Sequence, residues 1–180
     1  NKFGNIYTTD HTGDVVIILS NGDFKAGNLL GSTNLNIKFG NAYVNKISSG
    51  KISLDYSEFE LKEANKLNIT SKSAEVSIER VKNVTLDSKR DKYNIESIEE
   101  LSGVSYFSRI DLTKLDEELI MTSKYGSLKV GTISNSFQYI SVNADYLDVN
   151  LYFDKSDDYN LDVISTKKTT LNLPQNLKVT

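Results

Sequence analysis

The chain has no cysteine, one histidine and one proline in 180 residues, and no apolar run that approaches a membrane span. Without cysteine there is neither a disulfide nor a thiolate metal site. Proline occurs only at Pro174, which suits a chain of paired strands, because each missing N–H breaks a ladder. The run Val15-Val16-Ile17-Ile18-Leu19 falls far short of the roughly 20 apolar residues that cross a bilayer and reads as a short buried strand. The formal net charge is −3, and the 21 basic residues are scattered, so a nucleic-acid partner is not expected. Lys89-Arg90 and Lys167-Lys168 read as solvated corner residues. A hydrophobic content of 38% is enough for one continuous core, which implies one domain over residues 1–180.

What the chain does have is a repeat. A key residue is followed by a small residue, and then by apolar residues three, five and usually eight positions after the key. The keys are Phe3, Asn21, Phe39, Tyr56, Ser73, Arg90, Phe107, Tyr125, Tyr146 and Lys168, at steps of 17 to 22 residues. A near-constant period with strand-like alternation is the signature of a solenoid with one coil per repeat. The expected fold is therefore all-β, a single-stranded parallel β-helix-like solenoid of about ten coils.

Three apolar columns run down the stack. The first, three positions after each key, includes Ile6, Phe24, Ala42, Phe59, Val76, Tyr93, Ile110, Leu128 and Val149. The second, five after, includes Val44, Leu61, Ile78, Ile95 and Val130, and the third, four before, includes Leu35, Ile52, Ile69, Leu86 and Met121, with Gly103 breaking it. Eight after the key come Leu29, Ile47, Ala64, Val81, Ile98, Leu115 and Ile133, flanked by His11 and Asp154 at polar ends. Spacing by two is the strand period, so a corner must fall between the stretches on either side of the key. We expect it at the small residue after the key, where a glycine can take positive φ or let adjacent backbones approach closely. Segments 96–100 and 116–119 look helical in isolation but fall at turns of the repeat, and are expected to be exposed loops.

Two before the key, Leu19, Ile37 and Leu54 give way to Ser71, Ser88, Ser105 and Ser123 on an inward parity. Such a column is read as a hydroxyl ladder in a narrow interior, not as a set of nucleophiles, because no histidine accompanies it. Glycoside hydrolysis needs two carboxylates across the scissile bond. The candidates are Asp145 with Asp148, Asp154 with Asp157 and Asp158, and Glu58 with Glu60, none of them joined by a nearby arginine and histidine. His11 occupies a column position in the first coil and reads as a cap. The acidic stretch from Asp154 to Asp158 lacks the frame of a calcium loop. No catalytic residue, metal or cofactor is expected. What remains is the key column itself, where Phe39 lies beside Tyr56, and Phe107, Tyr125 and Tyr146 follow after Ser73 and Arg90. Stacked at the coil spacing, these aromatics form a candidate surface for sugar rings or a partner protein.

The segments Lys38-Phe39-Gly40-Asn41, Ser71-Lys72-Ser73-Ala74 and Ser123-Lys124-Tyr125-Gly126 resemble the S-K-Y-G-x-φ-x-φ coils of a bacterial family labelled adhesin, whose function is unknown. The resemblance covers essentially the whole chain, and the coils from Ser73 to Phe107 depart from the aromatic-glycine pattern. It implies a right-handed solenoid exported to the periplasm or cell surface, a non-enzymatic binding or spacer module with carbohydrate or another surface protein as partner. The alternative is a carbohydrate-active β-helix of the pectinase or lyase kind. The chain starts at Asn1 with a full coil pattern and no initiator methionine, so an upstream segment is expected to continue the stack.

Because neighbouring coils bury one another's columns, Ile78→Asp or Ile95→Asp places an unpaired charge in a dry interior. The cost is about 4 kcal/mol or more, comparable with the whole stability of a small domain. Circular-dichroism melts of these variants are expected to show loss of the folded state at room temperature or a Tm lower by roughly 8–16 °C; an unchanged Tm contradicts the column assignment.

Overall fold

The computed structural model describes residues 3–153, and these form a parallel β-solenoid of about nine turns. The tenth coil expected around Lys168, with Asp154, Asp157, Asp158, Lys167 and Pro174, lies outside the described residues. The strands are β1 (Ile6–Tyr7), β2 (Val15–Ser20), β3 (Asp23–Lys38), β4 (Asn41–Asp55), β5 (Glu58–Lys72), β6 (Glu75–Lys89), β7 (Lys92–Ile133) and β8 (Tyr139–Phe153). They make one sheet in the order β1-β3-β4-β5-β6-β7-β8, with β2 also on β3, and every pairing between them is parallel. There is no helix among the described residues.

From β3 to β6, one strand runs from one key to the next, and its register reproduces the columns. Phe24 pairs with Ala42, Ala42 with Phe59, Phe59 with Val76 and Val76 with Tyr93. All five are buried, and they are joined in the core by Leu61, Ile78 and Ile95 and by Leu35, Ile52, Ile69 and Leu86. Within β5 the buried positions run Phe59, Leu61, Ala64, Leu67, Ile69 and Ser71. The two steps of three mark where the inward phase shifts, and there the ladder skips Lys62 and Asn65. A further core column lies six before the key, at Leu67, Val84, Leu101 and Leu119, with Thr33 and Gly50 as its polar and empty members.

The corner differs from expectation. The residue with positive φ is the key itself: Asn21, Phe39, Tyr56, Ser73, Arg90, Phe107, Tyr125 and Tyr146 all have φ between 50° and 62°. Of the two roles expected of the small residue, close approach between coils is the one that Gly22, Gly40 and Gly126 serve, and Gly4 and Gly126 also have positive φ, at 117° and 122°. A Cβ on Gly40 would lie 2.1 Å from the carbonyl oxygen of Gly22, and one on Gly126 would lie 2.0 Å from that of Ser108. One left-handed residue turns an extended chain while the inter-coil hydrogen bonds continue. Phe39 N–H donates to the Asp55 carbonyl at 3.0 Å, Tyr56 to Lys72 at 2.9 Å, and on the far side Glu75 donates to Ser57 at 3.0 Å. Backbone bonds between coils thus continue on both sides of the corner, as burial requires.

Three other expectations are corrected. Residues 96–100 and 116–119 are not loops but parts of β7, and Ile98 and Leu119 are fully buried, because the alternation continues where helix-like composition disguises it. Each coil between β3 and β6 is one bent strand, not two separate ones. In the last described coil a register shift after Val130 pairs Phe153, not Asp154, with Ile133. Gly103, which interrupts an apolar column, has φ 137°, and a Cβ there would stand 2.0 Å from the Leu86 carbonyl oxygen. Gly103→Ala is therefore expected to cost about 2 kcal/mol. Urea unfolding measures this directly, and a midpoint equal to the parent's is the contrary outcome.

Candidate functional site

The left-handed corner decides which way the key side chain faces. Phe39, Tyr56, Phe107 and Tyr146 are each at least half exposed, and Tyr125 is intermediate. The repeat then brings them together. Phe39 and Tyr56 stack with ring centroids 5.4 Å apart and planes within 7°. Phe107, Tyr125 and Tyr146 form a second stack at 4.7 and 5.3 Å, with interplanar angles of 15° and 16°. Between the stacks stand Ser73 and Arg90, so the column is two aromatic platforms with a polar break three coil steps long, about 14 Å at the usual strand spacing.

The residue before each key forms a parallel row beside the platforms. Lys38 faces Asp55 at 3.9 Å, and Lys124 bonds Asp145 at 2.8 Å, which raises the Lys124 ammonium above its ordinary pKa. Lys72 lies over the Tyr56 ring at 5.7 Å and Lys124 over Tyr125 at 5.5 Å, both within cation–π range. Asp145, one of the candidate acids, is thus held in an ion pair, while Asp148 stands three residues on, in register with Ser127.

Beneath the break lies a polar cluster. Asp91, 2% exposed, accepts four hydrogen bonds: from Ala74 N–H on Oδ1, and from Lys89 N–H, Ser71 Oγ and Ser88 Oγ on Oδ2, all between 2.7 and 2.8 Å. The buried Tyr93 hydroxyl meets Ser71 Oγ, and desolvation pushes its phenol pKa far up. Ser105 donates to Ser123 at 2.8 Å. The serine column is thus a set of inter-coil bonds closed off from solvent. The same device recurs at other corners, where Ser57 Oγ donates to the Asp55 carbonyl and Ser108 Oγ to that of Tyr106. The signal for Asp91 in the sequence is an acid in a column that, from Gly4 to Gly126, otherwise holds only glycine, alanine and serine.

A shallow groove open to solvent follows the bend after the corner, floored by Val44, Leu61 and Ile78 and walled by Tyr43, Glu60, Lys62, Glu79 and Glu96. Sequence reasoning singled out Glu60 but not the groove. Lys25 sits over the Tyr43 ring at 5.0 Å, and desolvation, followed by Glu58 and Glu60, raises the Tyr43 phenol. A glycosidase acid is kept protonated in an apolar pocket, whereas Glu60, Glu79 and Glu96 stand in open solvent. His11 is exposed, contacts Thr8 Oγ1 and bridges to Leu29 in the second coil. Among the described residues no group of three His, Asp or Glu side chains is placed to hold a metal ion, and no helix is long and apolar enough to cross a membrane. Comparison of the chain with protein-family models, with curated proteins and with solved structures finds no match in any of the three.

Asp91→Ala strands the buried Ala74 N–H, removes the acceptor of the part-buried Lys89 N–H and takes one of two partners from each of the Ser71 and Ser88 hydroxyls, and is expected to cost about 3 kcal/mol, against about 1 for Ser105→Ala. Chemical denaturation of the two variants checks the ordering, and equal losses refute the assignment of Asp91 as the bonded centre.

Proposed function

We propose that this chain is a non-enzymatic binding module of the bacterial periplasm or cell surface, and that the aromatic corner edge is its contact surface for polysaccharide. The observation that supports this reading is the cost of the column. A bulky residue at positive φ is an uncommon and unfavourable choice, of order 1–2 kcal/mol each, and glycine or asparagine fills such a position with less strain. Here aromatics take it five times, and four of the five expose half or more of their surface. Stacking returns about 1 kcal/mol per pair. Flat rings aligned along a rod match the apolar faces of successive sugar rings. Backbone strain of this sort is often retained where function uses the side chain.

Export and surface location rest on the resemblance to the adhesin-labelled coils. The carbohydrate-active alternative draws on the Glu60, Glu79 and Glu96 groove; release of reducing sugars or unsaturated uronides that is lost on replacing these acids would favour it.

Phe39→Ser and Tyr146→Ser separate function from fold, because Ser73 already holds this conformation at φ 52°. Affinity electrophoresis against a panel of neutral and acidic polysaccharides is expected to show retardation of the parent. Each variant should bind roughly tenfold more weakly, the order of one stacking contact with its buried area, while Tm changes by only a few degrees. A parent that is not retarded by any polysaccharide, or variants that bind as the parent does, would refute the reading.

A further inference from the structure

The polar break between the two aromatic platforms has a sign. Three cations converge there: Lys72 and Lys89, paired directly across adjacent strands, and Arg90 at the corner. Elsewhere in the same row, lysines face acids, as Lys38 does Asp55 and Lys124 does Asp145. Lys72 faces Asp55 in the preceding coil but Lys89 in the following one, and like charges so placed are destabilising. All three side chains are exposed, and none forms an ion pair among the described residues. Three acids stand nearby: Asp55, in register with Lys72 and 3.9 Å from Lys38; Asp87, exposed two residues before Lys89; and Glu75 beyond the corner, which faces Lys92 at 3.9 Å. The buried Asp91 carboxylate already has four donors of its own. In a chain with net charge −3 the break is thus a local positive patch, flanked by Tyr56 on one side and Phe107 on the other.

We infer that this break reads a carboxylate on a linear acidic polysaccharide, whose sugar rings lie on the aromatic platforms either side. The inference rests on the binding reading above and adds the charge of the ligand. Rings alone take neutral and acidic polymers alike. Three unpaired cations between them add an attraction only an anionic polymer can use, and Arg90 presents a planar fork suited to a carboxylate. A pyranose unit in an extended polymer advances by nearly the coil spacing, so rings and charges on successive coils meet successive sugars. Lys89, set between Lys72 and Tyr106, then finds in the ligand a counter-charge that neither cross-strand neighbour supplies.

The experiment compares polygalacturonate with its fully methyl-esterified form, the same backbone with the carboxylates neutralised, by isothermal titration in low salt. The parent is expected to prefer the acid form at least tenfold, and the preference should shrink as salt rises. The variant Lys72→Gln/Lys89→Gln/Arg90→Gln should lose the preference and bind both forms equally. Equal binding of both forms by the parent overturns the charge inference and leaves the polysaccharide reading standing; binding of neither overturns both. If the triple variant keeps the preference but loses Tm, the cations serve the buried Asp91, and the inference is wrong. Poly-L-glutamate is the remaining arm. If it binds as tightly as polygalacturonate and Tyr56→Ser with Phe107→Ser changes nothing, the patch recognises an acidic protein instead, which also overturns the proposal.

Discussion

The hydrogen-bond ladder between coils must pass through every corner without a gap, and the rest of the molecule follows from how that is achieved. A strand that bends normally strands one or two backbone groups, which a narrow solenoid cannot satisfy from water. One residue in the left-handed conformation turns the chain while the N–H groups on either side still reach the next coil. The key side chain is then directed outward whatever its identity, and the following residue is pressed against the coil below.

Two chemistries meet that second demand. Where the step from the preceding key is 18 residues, at Gly22, Gly40 and Gly126, a Cβ would run into the carbonyl beneath, and glycine is used. Where the step is 17, the position holds Ser57, Ala74, Asp91 and Ser108, all buried, and the three polar ones bond back across the corner. Asp91 is the most demanding of these. An ionised carboxylate withdrawn from water is costly, and here it is held by four short bonds from backbone and hydroxyl donors. Surface ion pairs such as Lys46 with Glu63 at 2.6 Å link the same positions of neighbouring coils, but each adds little to stability.

The columns around Phe59, Leu61 and Ile69 were legible in the sequence because a buried strand position tolerates only apolar residues, and the register repeats them coil after coil. The column at Leu67 and Val84 escaped notice because Thr33 and Gly50 interrupt it and because its distance from the preceding key changes when the period moves between 17 and 18. The left-handed corner was misplaced for a physical reason: glycine is the ordinary occupant of positive φ, so the small residue drew the assignment that belongs to Phe39, Tyr56 and their counterparts. Of the surface, the sequence showed that the aromatics share a column. It did not show that Phe107, Tyr125 and Tyr146 stack into one platform, nor that Lys72 and Lys89 oppose one another, since both depend on which side of the corner each residue faces.

Every strand from β4 to β7 pairs only with its neighbours in the stack. Nothing in the stack therefore counts how many coils there are. A segment copied from one key to the next, such as the 17 residues from Tyr56 to Lys72, already has matching faces above and below, and its insertion or removal leaves the other contacts as they were. Genetic duplication and loss can thus act on this architecture in whole units. The length of the exposed rail, and so the number of contacts it offers at once, can change by unequal crossing-over in the gene without any redesign of the interior.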